Sequence, residues 1–146
     1  MNAPTLEFVS MLSAAPERVF AALTDARHLQ RWFCDTCESE PRVNGRLVMR
    51  WDRPNSSREP FEARWVEFLP PARAGFQGGH AGYPGGNAGT VWYEVVGHNG
   101  GTRLTVTHTL PALTGYEPML EAWRSAWPRA LDRLASYLKP VAEPHA

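Results

Sequence analysis

The chain has 146 residues, 43% of them hydrophobic and 21% charged, the mix of one ordinary globular domain rather than a disordered, fibrous or membrane chain. Fifteen basic residues balance fifteen acidic ones, which leaves no positive field for a phosphate backbone or an anionic bilayer, so nucleic acid is not an expected partner. No run approaches a membrane-span length and no basic region followed by an apolar run opens the chain, so membrane insertion is not expected and a cytoplasmic location is.

In chain order, Thr5 to Leu12 alternates imperfectly, with Leu6, Phe8 and Met11 or Leu12 as the apolar phase, and reads as a half-buried strand. Pro16 and Glu17 suit the first turn of a helix over 15–23 that carries Val19, Phe20 and Leu23. Thr24-Asp25 resets the chain, and 26–33 reads as a second short helix with Leu29, Trp32 and Phe33 on one side. Asn44-Gly45 signals a tight turn into a strand on which Leu47, Met49 and Trp51 share a face. Asp52 to Glu59 reads as a polar loop. Phe61 to Leu69 is a strand with Phe61, Ala63 and Trp65 in one phase and Val66 and Phe68 in the other, ended by Pro70-Pro71.

Arg73 to Gln77 reads as a further short strand. Seven glycines fall between Gly75 and Gly89, which predicts a mobile loop containing His80 and Tyr83. Thr90–Val96 and Arg103–Leu110 form the most secure hairpin, with Leu104, Val106, His108 and Leu110 facing inward. Glu117 to Lys139 places Leu120, Trp123, Trp127, Leu131, Leu134 and Leu138 at steps of three and four, a long amphipathic helix. Pro128 inside it predicts a kink or a restart near Ala126–Pro128. Pro140 marks its end, and Val141–Ala146 reads as a loose tail.

The order of strand, two short helices, antiparallel strands and one long C-terminal helix resembles the START-like, or SRPBCC, superfamily with its birch-pollen-allergen fold. The wording Ala15-Pro16-Glu17-Arg18-Val19-Phe20-Ala21-Ala22-Leu23-Thr24-Asp25, then Leu29-Gln30-Arg31-Trp32-Phe33, is similar to the opening of the branch named after the activator of the heat-shock-protein-90 ATPase. Gly101 to His108 and Trp127 to Leu138 resemble that branch too. The resemblance implies one α+β domain of helix-grip type over 1–146, a curved antiparallel sheet of about six to seven strands wrapped on the C-terminal helix. It further implies a space between sheet and helix that holds lipids, hormones or polyketides in relatives, only some of which catalyse a reaction there.

Candidates to line such a cavity are Trp32, Met49, Trp51, Trp65, Phe76, Tyr93, Val106, His108, Trp123, Trp127 and Leu131, residues that equally make an ordinary core. His108 is the clearest inward polar group, since a neutral imidazole both donates and accepts. Cys34-Asp35-Thr36-Cys37 has zinc or dithiol spacing, but no second pair completes four ligands. The expected state is two free thiols in a loop after the second helix, with His28, His80 or Asp35 as the only further metal ligands in view. The glycine-rich stretch lacks a Gly-Lys-Ser/Thr ending, so it is no phosphate cradle, and no cofactor is implied.

No nucleophile–base pair and no inward pair of carboxylates is legible; Glu62, Glu67 and Glu94 occupy strand positions expected to face solvent. Three readings follow. The first is a non-enzymatic module that binds a small hydrophobic or amphipathic molecule. The second is a cyclase- or hydrolase-like enzyme using His108. The third is a protein-binding module that docks on a chaperone or forms a homodimer through an exposed apolar patch.

Overall fold

The computed structural model describes residues 4–52, 59–80, 82–112 and 115–139; most of the polar loop expected after Trp51 and the whole of the expected tail lie outside them. The elements are β1 (Thr5–Leu12), α1 (Pro16–Thr24), α2 (Ala26–Trp32), β2 (Thr36–Ser39), β3 (Arg46–Arg50), β4 (Phe61–Leu69), β5 (Arg73–Gly79), β6 (Thr90–His98), β7 (Gly101–Thr109) and α3 (Glu117–Leu138). Seven strands form one antiparallel sheet in the order β1-β7-β6-β5-β4-β3-β2, an α+β helix-grip arrangement. Strands β2 to β7 follow one another as a meander. β1 closes onto β7 at the opposite edge, so α1 and α2 must carry the chain from one edge of the sheet to the other.

Local chemistry sets the joints. Pro16 opens α1, where its missing N–H is one of the helix's unpaired donors anyway. The Asp25 carboxylate accepts from Arg27 N at 2.8 Å, capping α2 without a loop between the helices. Arg133 Nε donates to the Trp32 carbonyl at the end of α2 (3.0 Å), and His28 Nδ1 lies 2.6 Å from the Tyr137 hydroxyl, so α3 is tied to α2 at two points. Asn99 and Gly100, with φ of 49° and 80°, make the two-residue turn of the β6–β7 hairpin, both in the left-handed region such turns require. At the turn, β6 therefore runs two residues further and β7 begins two residues earlier than the apolar alternation suggested.

Three differences from the sequence reading, and the change of phase it found within β4, have physical causes. Thr36–Ser39 is an edge strand, β2, rather than loop; its side chains are too polar and it is too short to show a period. Within β4 the register slips between Trp65 and Glu67, a bulge that accounts for the change of phase at Val66. The expected loop of glycines is strand as far as Gly79: a Cβ on Gly78 would stand 2.0 Å from the Glu62 carbonyl, so the glycine there permits close strand approach rather than mobility. Finally α3 passes through Pro128 as one helix of 22 residues and does not restart. Pro128 leaves the Arg124 carbonyl without its usual N–H partner on the exposed side. One residue on, Arg129 donates to the Ser125 carbonyl and hydroxyl, binding side chain to backbone beside the defect.

No helix among the described residues is long and apolar enough to cross a membrane.

Candidate functional site

Of the eleven cavity candidates eight belong to one buried apolar core, Trp51 and Trp123 pack against it partly buried, and His108 is its buried polar neighbour. Met119, Trp123, Trp127 and Leu131 follow each other at intervals of four along α3, so that face presents a stripe of large side chains to the sheet. Phe61, Phe76 and Tyr93 answer from β4, β5 and β6. The rings meet mostly edge to face: Trp65 with Phe76 at 5.8 Å, Phe61 with Phe76 at 6.1 Å and Tyr93 with Trp127 at 6.3 Å.

The indole N–H groups separate the tryptophans by role. Trp32 donates to the Ala22 carbonyl (2.8 Å) and fastens α2 to α1. Trp65 donates to the Ser39 hydroxyl (3.2 Å), Trp51 to the Phe33 carbonyl, and Trp127 to His108 Nδ1 (3.1 Å). Each of these four therefore holds two elements together. Trp123 differs: its Nε1 is buried and makes no hydrogen bond of normal geometry among the described residues, although it lies near enough to the Tyr83 hydroxyl to act on it. A buried unpaired donor costs about 1–3 kcal/mol, so it stands out in a core otherwise well satisfied.

His108 is 1% exposed and uses both ring nitrogens. Nδ1 accepts from Trp127, so Nε2 carries the proton and donates to the Ala88 carbonyl at 2.7 Å. Burial holds its pKa below the ordinary value, an effect only partly opposed by the Ala88 carbonyl. The imidazole is thus neutral, fixed in one tautomer, and spans from α3 to the turn before β6. With both nitrogens engaged it has no lone pair or proton left over for a substrate.

Beside Trp123 the layer opens. Tyr83 lies beside it, 6.2 Å from the Phe61 ring, with the His80 ring tilted against it at 4.1 Å. Burial pushes the Tyr83 hydroxyl up to about 12, offset in part by the nearby Trp123 N–H. Next to Tyr83 lies a cleft of about 490 Å³ bounded by Gly82, Tyr83, Pro84, Gly115, Pro118 and Met119, within the range of small-molecule sites. Tyr83 and Met119 belong to this opening and were not among the sequence candidates. An aromatic residue followed by Pro inside a glycine-rich stretch was the available signal for Tyr83. For Met119 it was the stripe itself, extended one turn toward the N-terminus.

The cysteines behave differently from a metal site. Cys34 is buried and Cys37 half-buried on β2. Among the described residues no three His, Cys, Asp or Glu side chains are grouped so as to hold a metal ion; His28 is engaged by Tyr137, and His80 by Tyr83 with Glu59 at 3.8 Å.

Residues 13–139 match the family described as "Activator of Hsp90 ATPase homolog 1-like protein". The chain belongs to this family. Solved structures share its fold at low identity. Protein MLL2253 from Mesorhizobium loti superposes with a TM-score of 0.81 at 17% identity, over 92% of this chain and 96% of that one. CalU16 from Micromonospora echinospora gives 0.74 at 22%, over 94% and 78%. The Aha1 of Colwellia psychrerythraea, described as a dimer, gives 0.78 at 16%, over 92% and 96%. No curated protein matches the sequence.

Proposed function

We propose that this protein of the activator family binds a small, mainly apolar molecule under the N-terminal half of α3, admitted through the cleft between Tyr83 and Met119. The observation that carries the reading is the buried Trp123 N–H, which makes no well-formed hydrogen bond and faces only the Tyr83 hydroxyl's weak hold, one helical turn from a cleft-lining residue. A ligand with an apolar body and one acceptor atom would satisfy that donor and displace Tyr83 from beside it, with Phe61 and Trp127 as aromatic walls. His108 then acts indirectly, holding Trp127 and the Ala88 turn in place. The family's activator name supplies no ligand, and the engaged His108 favours binding over acid–base chemistry.

The test uses the fluorescent probe 1-anilinonaphthalene-8-sulfonate, an apolar body with one anionic acceptor. A second apolar depression of about 460 Å³, between α1 and the end of β4 and lined by Phe20, Ala21 and Phe68, provides the control. Saturable one-to-one binding is expected, lost in Met119→Trp, which fills the cleft, and retained in Ala21→Trp. Loss in Ala21→Trp with retention in Met119→Trp overturns the reading, as does the absence of saturable binding.

A further inference from the structure

Five of the six tryptophans belong to the buried core or pack against it; Trp92 does not. On β6 the alternation puts Val91, Tyr93 and Val95 inside, so Trp92 and Glu94 stand on the outer face of the sheet, opposite the aromatic core. The partner of Trp92 across β5 is Gly75, and across β7 it is Thr107. A Cβ on Gly75 would lie 2.4, 2.7 and 3.1 Å from Cε3, Cζ3 and Cδ2 of the indole. Three bonded ring atoms at such similar distances are met from the face of the ring, not from its edge. The indole therefore lies over the β5 backbone, which is why Gly75 is buried. One face of the ring is laid on the sheet and the other looks outward.

Polar side chains rim this ring. Arg73 Nε meets the Glu67 carboxylate at 2.7 Å, and the guanidinium stands 5.9 Å from the ring centre, at the limit of a cation–π contact and too far to be stacked on the indole. Glu94 pairs with Arg73 across β5 and β6 and with Thr105 across β6 and β7, and Thr107 follows on the same face. Together Arg73, Trp92, Glu94, Thr105 and Thr107 bound a depression of about 230 Å³. Among the described residues the side chains of Glu94, Thr105 and Thr107 have no hydrogen-bond or ion-pair partner.

This set of groups narrows the ligand. The carboxylates of Glu67 and Glu94 oppose an anion and the Arg73 guanidinium opposes a cation, so the depression suits a neutral molecule. A wholly apolar one would strip water from Glu94 and two hydroxyls and put nothing in its place. What matches is a ring with an apolar face and hydroxyls around its rim. Its C–H groups, made slightly positive by the oxygens beside them, meet the negative face of the indole. Its hydroxyls find a donor in Arg73, an acceptor in Glu94 and both in the threonines. We propose that the Trp92 platform is a saccharide-binding site on the outer face of the sheet, separate from the cleft at Met119. The depression is smaller than a drug-sized pocket and takes one sugar ring, so further units of a short chain lie in solvent.

The full chain, labelled with nitrogen-15, is titrated with maltotriose and with cellotriose while the Trp92 Nε1–H and the Thr105 and Thr107 amide signals are followed by NMR. At least one trisaccharide is expected to shift these signals saturably, with a dissociation constant on the order of 1 mM, and to leave the Trp123 Nε1–H signal in place. Trp92→Leu still covers Gly75 but offers no π face; read from the threonine amides, it should weaken binding at least about tenfold. Glu94→Ala, a surface change that serves where the Trp92 variant does not fold, should weaken it about fivefold. The proposal is overturned if neither trisaccharide shifts the Trp92 signal saturably, or if the shifts fall at Trp123 instead. It is equally overturned if the folded variants bind as tightly as wild type.

Discussion

Trp123 and Trp127 sit on the same face of α3, one turn apart, with rings 5.8 Å from each other, yet they belong to different regimes. Around Trp127 every polar atom is spoken for: its N–H meets His108, His108 meets Ala88, and Tyr93 and Phe33 press on the ring. Around Trp123 the donor makes no well-formed hydrogen bond, the ring is half-buried, and the next turn toward the N-terminus borders a cleft. The same residue type in the same periodic pattern thus builds the closed half of the layer and the opening of it. Hydrogen-bond satisfaction, not hydrophobicity, separates the two.

The sharpest way to break this contrast is to remove each N–H while keeping an aromatic ring. Trp127→Phe leaves His108 Nδ1 buried without a donor and a gap beside Tyr93. It should cost about 2–4 kcal/mol of stability, read as a fall in urea midpoint at unchanged slope. A cost below about 1 kcal/mol would mean that the closed half tolerates an unpaired acceptor and that the two halves do not differ.

Much of this was legible beforehand. The helix stripe, the β6–β7 hairpin and the inward phase of Val106 and His108 follow from periodicity, because a long helix and a half-buried strand impose their repeat on the sequence. Two kinds of feature were not. β2 has four residues and an edge position, too little to show alternation, and Gly78 in β5 is spent on a tertiary contact with Glu62 that no local pattern encodes. The division of the tryptophans was hidden for the same reason: which N–H is paired depends on Ala22, Ser39, Phe33 and His108, partners from other elements. Tyr83 was named only as part of a loop, since its place beside Trp123 is set by where the chain lands after β5.

The neutral His108 makes the closed half sensitive to acid. Its native pKa lies below the ordinary 6.5 of the unfolded chain, so between those values the unfolded state binds more protons and stability rises with pH. Above 6.5 this group contributes no pH dependence. As pH falls below it, stability is lost at up to about 1.4 kcal/mol per unit until the native value is reached. Comparing urea unfolding at pH 7.5 and 5.5, the wild type should lose more stability than His108→Gln, which can donate and accept in the same place without titrating. Equal losses in the two proteins would show that the imidazole is not held neutral by the layer.

The smallest stability effect belongs to the open half. Trp123→Phe removes a donor that makes no well-formed hydrogen bond in the folded chain, so the lost ring area and the relieved, poorly paired group act in opposite directions. The net change should fall within about 0.5 kcal/mol. Binding should not be so tolerant. If a ligand acceptor uses this N–H, the same substitution weakens 1-anilinonaphthalene-8-sulfonate about five- to tenfold, near 1–1.4 kcal/mol, although the protein is no less stable. A variant that loses stability as Trp127→Phe does, with probe affinity unchanged, would place Trp123 with the structural tryptophans and close the opening as a site. Stability held with affinity lost is the pattern that only a binding donor produces.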